Sequence, residues 1–513
     1  MKRRDFILQS LYASAGVASV PLFFGGIPVH AGSYRSTPSE IMQQNDNILV
    51  VIQLFGGNDG LNTFVPYTNS QYYQNRPTLG ISPAQVLRIA NPTMGFHPRM
   101  AGMRDLFNAG KLVAVQGVGY EESNRSHFRS ENIWLTASGA SEVLDTGWLG
   151  RYLEFANPTF PLNLPADPFA VQIGGTLSLM LQSEKGNMGI TLADPDTFFR
   201  LGRNQLDEAV AGGTPYGEEY LFIRAIKEQS DVYSQRINDA FSSGRNVGTY
   251  ANSGLAQQLR LVARLISGGL RSKVFMVYLG GFDTHSNQAN AHGNLLQTLS
   301  DAAAQFTTDL QNQGLSRNVV GMTVSEFGRR TRENGSLGTD HGAAAVQFLF
   351  GEPVNSGVLG PDPDFSVTDS SGDLLHAFDY RQIYSELLEH WFEVSRDDVT
   401  QLLGGRFTPL PIVRRATSVT EPYAPAAFTL RQNHPNPFRA GEQTAIPFTL
   451  GAASHVELLL YDVRGAMIAR IAEGLYSAGL HTVQLPGYGI EPGVYFYQLR
   501  VGSEQVTRRL IVQ

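Results

Sequence analysis

Short apolar runs punctuate most of the chain, and within them apolar residues fall at consecutive rather than alternate positions. Asn47–Phe55 (NILVVIQLF), Leu112–Val118 (LVAVQGV), Val274–Leu279 (VFMVYL), Val319–Val324 (VVGMTV) and Val346–Phe350 (VQFLF) are the clearest. A strand covered on both faces reads this way, whereas a strand with one wet face alternates. Between the runs the apolar period lengthens. Leu255, Leu259, Val262 and Ile266 fall on one helical stripe, as do Leu295, Leu299, Ala302, Phe306 and Leu310. Further helices are expected over Glu218–Phe241, from Thr146, over Tyr380–Phe392 and over Asp397–Leu403. Pro158–Thr214 is irregular, with strand-like pieces at Phe169–Ile173 and Leu177–Leu181. Strands alternating with helices predict an α/β fold, a doubly wound and mainly parallel sheet with helices on both faces. Ligands of such sheets gather at the carboxyl ends of the strands.

The pattern changes near Arg414. A stretch rich in Ala, Thr, Ser and Pro reads as a linker, 411–427. Beyond it, alternation takes over at Ala445–Leu450, Val456–Tyr461, Met467–Ile471, His481–Leu485, Val494–Val501 and Val506–Val512. Turns at Asp462–Gly465 and Glu491–Gly493 separate some of these strands. The spacing predicts a small β-sandwich over 428–513, after a larger α/β domain at 47–410.

Composition adds exclusions. With 513 residues, 42% hydrophobic and 17% charged, the chain is globular and large enough for more than one domain. Its net charge of −7 is spread without a basic cluster, which excludes a nucleic-acid partner. The absence of cysteine excludes disulfides, thiolate metal sites and a cysteine nucleophile. The amino terminus carries Lys2-Arg3-Arg4, then Phe6, then an Ala/Gly/Ser-rich apolar stretch ending at Val29-His30-Ala31. Residues 1–31 therefore read as an export signal, of twin-arginine type or an ordinary secretory one. No other run is long enough to span a bilayer, so no transmembrane segment is expected in the mature protein.

Chemistry concentrates just past the predicted strand ends. Asp283 and His285 lie two positions apart after Val274–Leu279, and positions i and i+2 of an extended segment face the same way. Asp340 and His341 form a second such pair on the loop after Glu326. Carboxylate and imidazole donors suit a divalent ion: zinc first, with calcium, magnesium or manganese as alternatives, one or two ions in number. Asp59, inside Gly56-Gly57-Asn58-Asp59-Gly60, reads either as another ligand or as an Asx turn. Ser126 offers a hydroxyl nucleophile, and Arg125 or Arg129 a clamp for an anionic ester; a loop with local backbone bonds fits the same residues. Arg329, Arg330 and Arg332 read as an anion clamp or as a solvated helix face.

Gly56–Asn62 (GGNDGLN), Arg125–Phe128 (RSHF), Gly280–His285 (GGFDTH), Ser325–Arg329 (SEFGR) and Thr339–Gly342 (TDHG) together resemble the family called domain of unknown function 1501, placed in the alkaline phosphatase and sulfatase superfamily. The resemblance covers Asn47–Gly404. It implies an alkaline phosphatase-like fold and a metal-dependent hydrolase of phosphate or sulfate esters, or a surface binding protein that keeps the fold without turnover. It also implies Asp59, Asp283, His285, Glu326 and His341 as metal ligands, with Ser126 where a nucleophile stands. Phe327 departs from the pattern, since those phosphatases carry histidine directly after the acid. Residues 428–513, through Asn433–Phe438 (NHPNPF), Tyr461–Gly465 (YDVRG) and Gly493–Tyr497 (GVYFY), resemble a type IX secretion sorting domain of type A. Twin-arginine and type IX secretion machineries are the partners these resemblances imply, with export through the periplasm to the cell surface or the outside of the cell.

Overall fold

The computed structural model describes residues 23–24, 27–28, 45–160, 164–193, 233–369, 371–414, 428–450, 452–477, 479–502 and 504–513. Most of the expected export signal and most of the expected linker lie outside them, as does 218–232 of the helix expected to end at Phe241; residues 233–243 are helical. The chain divides into two compact units, Met1–Arg415 and Ala416–Gln513.

The first unit is built on a nine-stranded sheet. Its strands are β1 (Ile48–Leu54), β2 (Leu112–Gly119), β3 (Ala170–Ile173), β4 (Ile190–Leu192), β5 (Val274–Leu279), β6 (Val319–Ser325), β9 (Ala345–Phe350), β10 (Gly357–Leu359) and β11 (Phe378–Asp379); β7 (Arg329–Glu333) and β8 (Thr339–His341) form a separate hairpin. The order is β4-β3-β5-β1-β6-β9-β2-β10, with β11 also on β2. All pairings are parallel except those of β9, which runs against both β6 and β2. The expected doubly wound, mainly parallel α/β fold is what forms.

Every residue of β1 is buried, as an apolar run at consecutive positions requires. Its alternate residues feed two cores. Leu49 and Val51 pack with Val274, Met276, Val320 and Met322 under α2 (His127–Thr136), α3 (Trp148–Ala156) and α6 (Tyr380–Glu386). Ile48, Val50 and Ile52 face the other way, under α1 (Ala101–Asn108), α4 (Gly254–Ser267) and α5 (Gln288–Asn312). The first core is pinned by stacked rings, Trp148 on Tyr384 at 4.2 Å and Trp134 on Tyr380 at 4.4 Å. The strand-like piece expected at Leu177–Leu181 is instead a 3-10 turn, Leu179–Leu181, whose start Ser178 caps through Met180 N–H. The segment carrying Arg329, Arg330 and Arg332 is a strand, not a helix face, and Arg329 is buried within it.

The second unit has its own core. A three-stranded antiparallel sheet (Phe428–Leu430, Gln443–Leu450, Gly479–Pro486) and a four-stranded one (Met467–Tyr476, Ser454–Asp462, Gly493–Val501, Glu504–Val512) enclose Ile446, Phe448, Leu458, Tyr497 and Leu499.

Candidate metal centre

Strands β1, β2, β5 and β6 run the same way, so their carboxyl ends share one rim. The loops that leave these ends bring Gly56, His127, Asp283 and Glu326 together. Two glycines make the approach feasible. Gly56 (φ +118°) lies so close to the neighbouring loop that a Cβ there would sit 2.2 Å from Asp283 N, and one on Gly57 (φ +76°) would sit 2.2 Å from the Phe327 ring. The β7–β8 hairpin then folds His341 back opposite Arg329.

The resulting cluster centres on Asp283. His285 Nε2 lies 3.1 Å and His341 Nε2 3.2 Å from Asp283 Oδ1, and the two imidazole nitrogens are 2.9 Å apart. His127 Nε2 approaches the other oxygen, Oδ2, at 3.5 Å. His127, Asp283 and His341 each offer a ligand atom, and these atoms lie within 4.8 Å of one another. Asp283 remains 48% exposed, so the cluster is open to solvent on one side.

Hydrogen bonds on the far side of each ring fix what the near side presents. His341 Nδ1 lies 2.8 Å from the Arg125 carbonyl, which only accepts, so this nitrogen carries the proton. His127 Nδ1 faces Glu326 Oε1 at 2.9 Å, and His285 Nδ1 faces Asp340 Oδ1 at 3.3 Å. Each carboxylate takes the proton's end of its imidazole by the same argument. In the neutral rings, three Nε2 lone pairs then converge on one carboxylate. Facing lone pairs at such distances repel. A proton relieves a single contact, whereas a divalent cation relieves them all. Metal–nitrogen bonds of about 2.0–2.1 Å put tetrahedral ligands about 3.3 Å apart, close to the edges measured here.

The charge balance points the same way. Arg329 is buried and surrounded by acceptors: Gly57 O at 2.8 Å, Thr339 O at 2.7 Å, Phe282 O at 3.0 Å, Gly56 O, and Asp283 Oδ1 at 2.7 Å. Burial pushes the Asp283 carboxyl up, but the hydrogen bond from Arg329 and the Arg329 charge outweigh it and hold it at about 2. A hydrogen bond from Asn334 is the main cause that keeps Asp340 low. Burial lowers His341, which favours the neutral, ligating imidazole.

The sequence-predicted residues are thus distributed unevenly. Asp283, His285 and His341 meet. Asp340 stands behind His285. Glu326 reaches the cluster through His127 and is itself fixed by Gly56 N–H at 2.7 Å. The structure does not bring Asp59 to the imidazoles. It is fully buried, pairs with Arg76 Nη1 at 2.6 Å, accepts from Gln288, and caps the turn Gly60–Thr63 through Asn62 N–H. The Arg125 guanidinium is held by Asp369 at 2.6 Å and by Asp373 at 2.8 Å, so what it gives the cluster is its carbonyl. Ser126 is exposed at the N-cap of α2, and its side chain makes no capping bond.

His127 is the participant that spacing arguments overlooked. It sits beside Ser126 just past the end of β2, inside a loop read for its hydroxyl and its arginines. Phe327, where phosphatases of the resembled superfamily carry histidine, packs its ring 4.9 Å from His127 and 4.5 Å from His341. It supports both imidazoles from below.

A family model for a protein of unknown function, DUF1501, matches residues 202–403. No curated protein matches the chain. Similar solved structures include a protein in the alkaline phosphatase superfamily from Vibrio parahaemolyticus, 10% identical over 83% of this chain and 82% of that one, with a TM-score of 0.33. The lipoteichoic acid synthase LtaP from Listeria monocytogenes is 9% identical over 64% of this chain and 70% of its own, with a TM-score of 0.27. PorZ, a surface component of the type IX secretion system of Porphyromonas gingivalis, is 15% identical over 16% of this chain and 11% of its own, with a TM-score of 0.12.

Proposed function

We propose that the chain is an exported hydrolase of phosphate or sulfate esters that works with a divalent cation, zinc by preference. The observation that carries this reading is the convergence of the His127, His285 and His341 Nε2 atoms on Asp283, each ring anchored from behind. Asp283, His285 and His341 are the residues that would hold the ion, with His127 beside them. An ion held there would supply polarisation of an ester oxygen and a lowered pKa for a neighbouring hydroxyl or water.

The remaining work falls to α2. Ser126 precedes its first turn, and the free amides of a helix amino terminus carry partial positive charge that favours an anion. In this role Ser126 Oγ attacks the phosphorus or sulfur as the bond to the ester's alkoxide breaks, the seryl proton passes to that departing alkoxide, and water then hydrolyses the seryl ester to restore the hydroxyl; the first-turn N–H groups stabilise charge on the oxygens throughout. Among the described residues no helix is long and apolar enough to cross a membrane. The sequence motifs at 1–31 and 428–513 support passage through twin-arginine and type IX machinery.

A second reading is a surface protein that binds anionic groups without turning them over. It is favoured by Arg125, whose guanidinium is already neutralised by Asp369 and Asp373. Assay of aryl phosphates, phosphodiesters and sulfates with zinc, manganese or calcium separates the two. The hydrolase reading expects metal-dependent turnover that a chelator stops and Ser126→Ala abolishes. Retained metal with no turnover on any ester favours the binding protein.

A further inference from the structure

On the face of the sheet that carries α2, the core gives way to polar groups at the carboxyl end. Leu49 and Val51 of β1 are followed on that face by Gln53, and Val274 and Met276 of β5 by Tyr278. Gln53 pairs in register with Tyr278, and Gln172 of β3 with Met276. These side chains, with Phe55 and Thr176, line a cleft of about 240 Å³.

The cleft is built rather than incidental. Gln172 closes its outer loop by donating to Thr176 O at 2.6 Å and accepting from Ser178 N–H at 2.8 Å. Gly174 brings the backbone against Tyr278, since a Cβ there would meet the ring at 2.9 Å. Phe55 supports the same ring edge-on at 6.2 Å. Tyr278 nonetheless stays 42% exposed, a large ring held still and left open. Gln53 donates to Glu131 Oε1 at 2.9 Å, and among the described residues no hydrogen bond engages its Oε1.

The cleft adjoins the metal centre. Phe55 directly precedes Gly56, which bonds Glu326, and Phe282 N–H bonds Phe55 O beside Asp283. Glu131 lies one helical turn from His127 on α2, so Gln53 reaches the element that carries His127. Among the described residues no charged side chain lines the cleft, so nothing among them selects an anion there. An aromatic wall beside an amide suits an uncharged ring with an apolar face and hydroxyls at its edge.

We propose that this cleft is a binding subsite for an uncharged, hydroxyl-bearing ring; its assignment to the alcohol half of the ester rests on the hydrolase reading above. Either a glycoside or a phenol supplies this chemistry. Saturation-transfer NMR on the metal-loaded full chain, with methyl β-galactoside in one arm and phenol in the other, identifies the source. Transfer to one of them is expected, about tenfold weaker in affinity in Tyr278→Ala and in Gln53→Leu. Circular dichroism and metal content check that the variants fold. Absence of binding to both rings overturns the subsite and leaves the hydrolase reading standing. Ring binding that survives both cleft substitutions also overturns it. Ring binding lost with the cleft substitutions, in a chain that turns over no ester, upholds the subsite and removes its link to hydrolysis.

Discussion

At the scale of single side chains, the candidate metal centre rests on groups that stand behind its converging imidazoles. Glu326 is the sharpest case, accepting from Gly56 N–H and His127 Nδ1–H on one oxygen. Glu326→Gln weakens that shared acceptor and leaves His127 without a fixed orientation. Metal affinity should fall about 10- to 100-fold, measured by competition with a chromogenic chelator, with little change in fold. Unchanged affinity would mean that His127 is not part of the centre. A second residue-scale effect lies behind Asp59. Burial, first among the causes, holds both His97 and His292 at about 4 instead of 6.5. The fold thus binds fewer protons than the unfolded chain between those values. Stability should be whole above pH 6.5 and decline as pH falls toward 4, by about 1.4 kcal/mol per pH unit for each histidine. Denaturant midpoints between pH 7 and 4 read this directly, and a flat profile would contradict it. Asp283 and His285 stood out at this scale because they follow a recognisable strand, and His341 because it forms an Asp-His pair with Asp340. The environment of Asp59 was not, because its partners Arg76 and Gln288 lie 17 and 229 residues away.

At the scale of elements, the site exists because parallel strands end on one rim and a hairpin turns back over it. The strands were visible in the sequence as consecutive apolar residues, and the two amphipathic helices as stripes. The hairpin was not, since Arg329–Glu333 is charged at most positions and gains its strand geometry from pairing with Thr339–His341. Gln53 and His127 escaped notice for a related reason: each is a polar residue whose meaning depends on a neighbouring element. The close passage of the β1 loop past Asp283 gives an element-scale prediction. Gly56→Ala adds a methyl 2.2 Å from Asp283 N at a φ of +118°. It should lower stability by roughly 1–3 kcal/mol and displace Asp283, weakening metal binding as well. Thermal unfolding and metal content together check this. A variant with both properties unchanged would show that the two loops are not tightly packed.

At the scale of the molecule, two units with separate cores divide the work. In the sequence, the change from consecutive to alternating apolar positions falls near the Ala/Thr/Ser/Pro-rich stretch. The first unit holds the candidate centre; the second, through its motifs, is proposed as the sorting signal. A chain ending at Arg415 should therefore fold and bind metal as the full protein does, yet accumulate in the periplasm. Fractionation with a metal assay tests both halves, and normal surface delivery of the shortened chain would refute the sorting role. The central claim is that three imidazoles and one carboxylate, brought from three separate segments of the chain, form a cation site. The most direct test is the divalent-metal content of the purified full chain beside that of the His285→Ala/His341→Ala double variant. The account predicts bound metal in the first and its loss in the second; a metal-free wild type, or metal retained by the double variant, would contradict it.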